Sequence, residues 1–244
     1  AFGGSIPPNT GATELYDGTS WTEVNDLNTA RSLLAGCGTS TAGLAFGGNE
    51  DTETWNGTNW TEVNNLNAAK DALGGFGTNT SALAFGGSEP GGNTANTELW
   101  NGTNWTEVNN LGGAKRFVAG AGADNTTGLC FGGNPGPTAN TELWNGTNWA
   151  EVNNLNTARN QLAGLGTQPS ALAFGGEGPP NLAITELWNG TSWSEQGDLN
   201  AAVRFNAGAG TTTAGLSFGG DNGPVKAATE SWNVPSNVVK TLTD

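Results

Sequence analysis

The sequence predicts an all-β repeat fold, and three observations lead to that fold class. A segment of the form Thr-Glu-Leu-Trp-Asn-Gly-Thr-Asn-Trp recurs at intervals of 39, 45, 44, 44 and 44 residues. Short apolar runs between the copies are separated by Gly and Asn turn signals, which is typical of β-strands. Ten Trp supply large side chains for a core. A period of this length indicates one supersecondary unit repeated in an array. The copies begin at Thr13, Thr52, Thr97, Thr141, Thr185 and Thr229.

The repeat around residues 73–108 shows its four elements in order. Residues 73–77 are mostly small and predict a first strand. Residues 82–87 alternate small and large side chains and predict the second. Residues 97–100 and 105–108 predict the third and fourth strands, and Asn101-Gly102 between them predicts a tight hairpin with positive φ angles. A Gly-Gly pair, here Gly86-Gly87, closes each second strand with backbone angles that other residues avoid.

The small first strands favour radial closure over a linear stack. Second and third strands are each counted six times, and first strands only five times. We therefore predict a single domain over residues 1–244, a six-bladed β-propeller of four-stranded antiparallel blades, closed by pairing of the N- and C-terminal segments. The tail, residues 238–242, completes an unfinished blade in that arrangement. In the alternative, the tail is the fourth strand of the last blade and the first blade is one strand short.

The repeat resembles the kelch-type β-propeller repeat. Phe46-Gly47-Gly48 matches the double Gly of that family, Tyr16-Asp17 matches its Tyr-Asp pair, and Trp60 matches its fourth-strand Trp. A basic residue before the first strand matches the family's Arg, although Val203 takes this position in the last copy. The resemblance implies a propeller fold and says little about activity. The Trp-Asn-Gly-Thr-rich sequence of the repeat is also similar to repeats in tail-fibre-like and structural proteins of marine bacteriophages.

Composition excludes several classes of function. The net charge is −14 and only eight residues are Lys or Arg, which disfavours nucleic acid and anionic membranes as partners. No run approaches the length of a membrane span, so we expect no membrane insertion. The absence of His excludes a His-based triad or metal site. We expect no cofactor and no metal, and we expect Cys37 and Cys130 to be buried free thiols.

The candidate binding surface is built from the loops between second and third strands. These loops share a face with the connections between blades, and they vary in length and sequence while the strands hardly differ. Variable loops on a constant scaffold are a common means of recognition, although surface loops also drift without selection. The loops are residues 5–12, 49–51, 88–96, 134–140, 177–184 and 221–228. The loop residues predicted to bind a ligand are Glu89, Asn93, Asn134 and Asn181.

Four basic residues lie where one blade hands over to the next. As a ring of cations they are candidate ligand-binding residues for an acidic or sugar ligand. In the competing interpretation, which we favour, each pairs with a nearby repeat Glu, because a role repeated in every blade is more often structural. The four residues are Arg31, Lys70, Lys115 and Arg159.

No residue is predicted to be catalytic. A glycosidase needs two carboxylates in distinct roles, whereas the repeat Glu is one position copied six times. We expect a non-enzymatic binding module that belongs to a phage fibre and recognises a glycan or protein on the host surface. Its expected location is the virion or the extracellular space. The alternatives are a building block that assembles into a larger particle, and a free multivalent lectin in which Trp rings stack on sugars.

Overall fold

The computed structural model describes residues 1–5, 8–233 and 240–242. Every regular element in these residues is a β-strand. No helix of the described chain is long and apolar enough to cross a membrane. The chain divides into two compact units, residues 1–116 and residues 117–244, and each unit contains three antiparallel sheets of the blade type.

The first unit contains blades 1, 2 and 3, numbered in chain order. Blade 1 has three strands and blades 2 and 3 have four, all antiparallel, with each strand beside its neighbour in sequence. A two-stranded hairpin, β10–β11, lies in the loop between the second and third strands of blade 3. The strands of blade 1 are β1 (Phe2–Ser5), β2 (Asn9–Tyr16) and β3 (Trp21–Val24); those of blade 2 are β4 (Leu34–Thr39), β5 (Ala42–Gly47), β6 (Thr52–Trp55) and β7 (Trp60–Glu62); those of blade 3 are β8 (Gly74–Thr78), β9 (Ser81–Phe85), β12 (Thr97–Trp100) and β13 (Trp105–Val108). The separate hairpin consists of β10 (Ser88–Glu89) and β11 (Gly92–Asn93).

The second unit contains blades 4, 5 and 6, each of four strands in sequential order. The strands of blade 4 are β14 (Ala119–Asp124), β15 (Thr127–Phe131), β16 (Thr141–Trp144) and β17 (Trp149–Val152); those of blade 5 are β18 (Ala163–Thr167), β19 (Ser170–Phe174), β20 (Thr185–Trp188) and β21 (Trp193–Glu195); those of blade 6 are β22 (Ala207–Thr211), β23 (Ala214–Phe218), β24 (Thr229–Asn233) and β25 (Lys240–Leu242).

The predicted fold class is confirmed: the protein is an all-β propeller whose described residues form six blades. The tail follows the alternative arrangement, not the expected pairing of the two terminal segments. Strand β25 pairs with β24, so it is the fourth strand of blade 6, and blade 1 has three strands. The reason is register, since Ser231 lies opposite Lys240 and Thr229 opposite Leu242. Val238 and Val239 of the expected tail strand lie outside the described residues.

The fourth-strand residues Trp60, Trp105 and Trp193 fill the space between consecutive blades, as expected, whereas Trp149 is half-buried. We call the packing surface between two consecutive blades of one unit a seam. In the seam of blades 1 and 2, the ring of Trp60 packs edge-on against Phe2 at 4.9 Å, and Nε1 donates a 3.0 Å hydrogen bond to Oγ1 of Thr13. Trp105 repeats this contact with Thr52 at 3.0 Å. Trp193 repeats it with Thr141 at 3.1 Å. Each ring therefore buries its body and satisfies its one donor.

Close packing explains why the first strands contain so much Gly. Gly75 in β8 faces the ring of Phe46 from the preceding blade, and a Cβ at this position would lie 2.5 Å from Cζ of Phe46. Gly164 and Phe131 have the same relation at 2.6 Å. Because interiors have little free volume, a larger residue here would push the aromatic ring out of the seam.

The Asn-Gly turns join the third and fourth strands, but by a different mechanism from the one expected. Trp55 pairs with Trp60, so residues 56–59 form a four-residue loop and not a two-residue turn. Gly57 has a φ of 92°, whereas Asn56 is not among the residues with positive φ. The Asn56 side chain instead accepts hydrogen bonds from N–H of Thr58 and Asn59 at 2.9 and 2.8 Å. This is an Asx turn, which sequence spacing alone does not distinguish from a tight hairpin.

Both cysteines are free thiols. Cys130 is buried, as expected, whereas Cys37 is half-buried, and its Sγ lies 3.4 Å from the carbonyl oxygen of Thr78. Burial raises the pKa of the Cys37 thiol to about 12. Cys37 therefore stays protonated at neutral pH and acts as a small apolar side chain.

Candidate functional site

In each unit, the loops between second and third strands lie beside the segments that connect one blade to the next, which we call handover segments. In the first unit, Asn49 pairs with Lys70, and Asp71 pairs with Ser88. In the second unit the same bridges join Thr138 to Arg159, Asn160 to Glu177, and Arg204 to Asp221. We call this surface the loop face of a unit. Its loops are residues 49–51 and 88–96 in the first unit, and residues 134–140, 177–184 and 221–228 in the second.

Each handover segment contains a residue with a side chain in the left-handed backbone region. The φ angles of these five residues lie between 52° and 56°. Such angles are strained for residues other than Gly, so the surrounding structure must impose them. Backbone hydrogen bonds between consecutive blades do so: N–H of Ala72 donates to Leu33 at 2.8 Å, and N–H of Phe205 donates to Gln161 at 2.8 Å. The five residues are Leu33, Ala72, Phe117, Gln161 and Phe205.

The sequence analysis missed this strained position because its residue types have nothing in common. In the second unit it groups apolar rings on the loop face, with Phe117 and Phe205 packed edge-to-face at 5.5 Å. Phe205 is 40% exposed, and the guanidinium of Arg204 lies 5.5 Å from the centre of its ring. The position is recognisable only because it always comes two residues after the basic position, which Val203 occupies in the last copy.

Arg31, Lys70 and Arg159 each form an ion pair with the repeat Glu. Nη1 of Arg31 lies 2.6 Å from Glu53. Nζ of Lys70 lies 2.7 Å from Glu98, and the Arg159 guanidinium lies 3.1 Å from Glu186. At least one partner of each pair has a side chain fully buried from solvent. Lys115 is buried as well.

These ion pairs hold the handover segments that support the loop face. Burial lowers the pKa of the Arg159 guanidinium from its ordinary value, and the charge of Glu186 opposes that shift. The carboxylates are further satisfied by the preceding segment, since N–H of Asn28 donates to Glu53 at 2.8 Å. Removing one partner of such a buried ion pair strongly destabilises the folded state. The geometry therefore favours the structural role of the basic residues, and their direct contact with a ligand stays a prediction.

The four predicted loop residues lie on the loop faces, in three loops. Glu89 and Asn93 belong to the β10–β11 hairpin, where Ser88 pairs with Asn93. Oε1 of Glu89 accepts a 3.0 Å hydrogen bond from Asn96 and lies 3.9 Å from Nζ of Lys70. The structure thus brings Glu89, Asn93 and Lys70 together in the first unit.

In the second unit, Asn134 opens the loop 134–140 and is half-buried. Asn181 lies in the loop 177–184, is half-buried, and forms a bridge with Glu177 of the same loop. Sequence reasoning missed the charged group next to Asn181: Arg204 lies 3.1 Å from Glu177 and 3.0 Å from Asp221. The hydrogen bond that the Arg204 guanidinium donates to Asp221 raises the pKa of Arg204. This cluster ties two loops of the second unit together.

A different surface lies at the hairpins that join third and fourth strands. In the first unit, Nδ2 of Asn64 donates to the carbonyl of Thr103 at 3.0 Å, and Asn25 donates to Thr58 at 2.9 Å. A cavity of about 210 Å³ lies beside Asn64 and Thr103, next to Trp100. Trp100 is nevertheless fully buried, which supports core packing over sugar stacking for this ring.

No model of a known protein family matches the chain, and a comparison with curated proteins finds no significant match. The resemblance to kelch repeats and to marine phage proteins therefore rests on the motifs alone and stays a prediction.

Proposed function

We propose that the protein is a non-enzymatic binding module that recognises a host-surface glycan or protein through its loop faces, as part of a phage fibre or virion. The observation that carries this proposal is the contrast between loop and scaffold. In the first unit the corresponding loops span residues 49–51 in blade 2 and residues 88–96, with a hairpin of their own, in blade 3. The strands around these loops keep the same register.

Rigid support favours recognition by such loops. Backbone bridges connect each loop to the handover segment beside it, and buried ion pairs hold those segments. A loop that is ordered before binding loses less conformational entropy when it binds. The side chains of Glu89, Asn93, Asn134 and Asn181 supply hydrogen-bonding groups of the kind that bind hydroxyls and peptide groups.

The test exchanges loops and measures binding to host cells or purified envelope material. Replacing residues 88–96 with the sequence of residues 49–51 shortens one loop, and replacing residues 134–140 in the same way shortens another. Both changes are expected to abolish binding while circular dichroism stays unchanged. The matched control exchanges Asn79-Thr80 for the Gln168-Pro169 dipeptide of the equivalent hairpin in blade 5, at the opposite ends of the strands. Full binding by both loop variants would contradict the proposal.

A second candidate, a multivalent lectin, is favoured by the repeated hairpin surface near Asn64. The same amide-to-carbonyl contact recurs at Asn25 and at Asn153, which donates to Thr191 at 2.9 Å. Equivalent sites would bind several sugars per chain with similar affinity. Calorimetry with a glycan array hit measures that stoichiometry, and a value near one would reject the lectin. Concentration-dependent assembly without any ligand would instead indicate a building block.

A further inference from the structure

The seam between blades 5 and 6 differs from the seams filled by Trp60, Trp105 and Trp193 in the charged residues that it contains. In the seams that hold Glu53, Glu98 and Glu186, a Lys or Arg nitrogen lies 2.6–3.1 Å from the carboxylate. Val203 takes the cation's position in blade 6. Oε2 of Glu230 still accepts hydrogen bonds from N–H and Nδ2 of Asn200 at 2.9 and 2.8 Å. Among the described residues, none pairs with its Oε1.

The same seam also lacks the indole. In the seams described above, a fourth-strand Trp donates to the first Thr of the preceding blade's third strand. No Trp follows Trp232 in the sequence. Oγ1 of Thr185, the equivalent acceptor, has no hydrogen-bond partner within the described part of the chain. Thr185 is only 2% exposed, so water outside the seam does not solvate it freely.

Both departures meet in one cavity of about 20 Å³ in the second unit. Phe174, Trp232 and four Leu residues line the cavity together with the polar residues Thr185, Ser217 and Glu230. A cavity of this size holds one water-sized group.

A second unpartnered acceptor lies close to these polar groups. Nδ2 of Asn206 donates to Oγ of Ser217 at 3.0 Å. Oδ1 of Asn206 is buried and has no partner among the described residues. Two buried oxygens of this seam, Oγ1 of Thr185 and Oδ1 of Asn206, therefore lack a donor within the described part of the chain.

We propose that the seam between blades 5 and 6 is a binding site for a primary ammonium group. An ammonium is close to water in size and is purely a donor. A carboxylate, hydroxyl oxygens and aromatic faces are the groups that attract it. Lys70 beside Glu98 shows how this chain satisfies the same carboxylate with its own ammonium. The site is separate from the loop faces and stands independently of the function proposed for them.

The source of the ammonium is either a small free amine or a Lys side chain of a partner protein. The first experiment measures binding of ¹³C-methylammonium to the folded protein by NMR saturation transfer, at fixed ionic strength. A parallel arm uses Nα-acetyl-lysinamide, and sodium and potassium serve as competitors. We expect methylammonium to bind and sodium to compete weakly. Preference for the lysine compound would indicate a protein partner. Failure of both amines to bind, or equal competition by sodium, would overturn the proposal.

Variants connect binding to this seam. Glu230→Gln is expected to weaken methylammonium binding at least about tenfold, because a charge-assisted hydrogen bond is lost. Glu195→Gln is the matched control on an exposed carboxylate of the same unit, and it should bind as the unmodified chain does. Val203→Lys supplies an internal ammonium and should abolish binding while raising the unfolding temperature. Equal binding in Glu230→Gln and the unmodified chain would place the amine elsewhere and refute the site.

Discussion

The seams on the two sides of blade 5 follow one plan and have different cores. Between blades 4 and 5, Trp193 fills the space and bonds to Thr141, and Arg159 neutralises Glu186. Between blades 5 and 6, a cavity lies beside Thr185 and Glu230. The strands keep the same antiparallel order in both blades. The comparison teaches that the backbone plan of this repeat does not depend on a filled seam, whereas the energy of each seam does.

The largest expected effect tests the filled seam. Trp193→Ala removes the indole that fills it and should lower the free energy of unfolding by about 3–5 kcal/mol, as for other buried large-to-small changes. Urea denaturation measures this loss. Val225→Ala, at a 64% exposed position, is the control and should change stability by less than about 0.5 kcal/mol. A loss below about 1 kcal/mol for Trp193→Ala would show that the seam carries little stability.

The ion pair should separate the two seams almost as strongly. Glu186→Gln leaves Arg159 buried without its carboxylate and should cost about 3–5 kcal/mol. Glu230→Gln removes no ion pair and should cost less than about 1 kcal/mol. Guanidine is unsuitable as denaturant because it screens charge, so urea at two salt concentrations provides the measurement. Equal costs for the two variants would contradict the difference between the seams.

Removal of the hydroxyl acceptors gives a smaller contrast. Thr141→Val leaves Nε1 of Trp193 without its partner and should cost about 1 kcal/mol. Thr185→Val removes an acceptor without a described partner and should be neutral or slightly stabilising. Thermal unfolding of both variants under one buffer checks the pair. The same loss in both would mean that Thr185 is as well satisfied as Thr141.

The smallest effect concerns the filled core of the first unit. With a pKa of about 12, Cys37 should react with iodoacetamide at pH 8 far more slowly than it does in the urea-unfolded chain. Because the folded pKa is raised, the stabilisation is complete below the unfolded value and is lost as pH rises from about 9 towards 12. Mass spectrometry of the peptide containing Cys37 follows the reaction. Rapid labelling of the folded chain would show that this thiol is open to solvent.

Much of this architecture follows from local patterns. The strand pattern predicted the blades. The fourth-strand position of Trp60 predicted that its ring lies between sheets, and the repetition of Arg31 and Glu53 predicted their ion pair. These predictions succeeded because period and residue type determine which face of a strand is buried. The four-residue loop at Asn56 was not predictable, because an Asx turn and a tight hairpin share the same dipeptide.

The cavity in the seam between blades 5 and 6 could not be predicted from the sequence either. Val203 stood out as the exception to the basic position, and the last repeat visibly lacked a final Trp. Only the three-dimensional packing shows that Thr185 and Glu230 line one cavity. The strained residues, such as Phe117 and Gln161, gave no signal because backbone angles imposed from outside leave residue type free.

The indole-to-threonine bond has a consequence for synthesis. Its partners are separated by 47, 53 and 52 residues in the three seams. Chains leave the ribosome from the N-terminus and fold as they emerge. The first Thr of a blade's third strand therefore stays without its indole partner until roughly fifty further residues have been translated. Pauses in translation just before Trp60, Trp105 or Trp193 would prolong that unpartnered state and favour aggregation of the nascent chain.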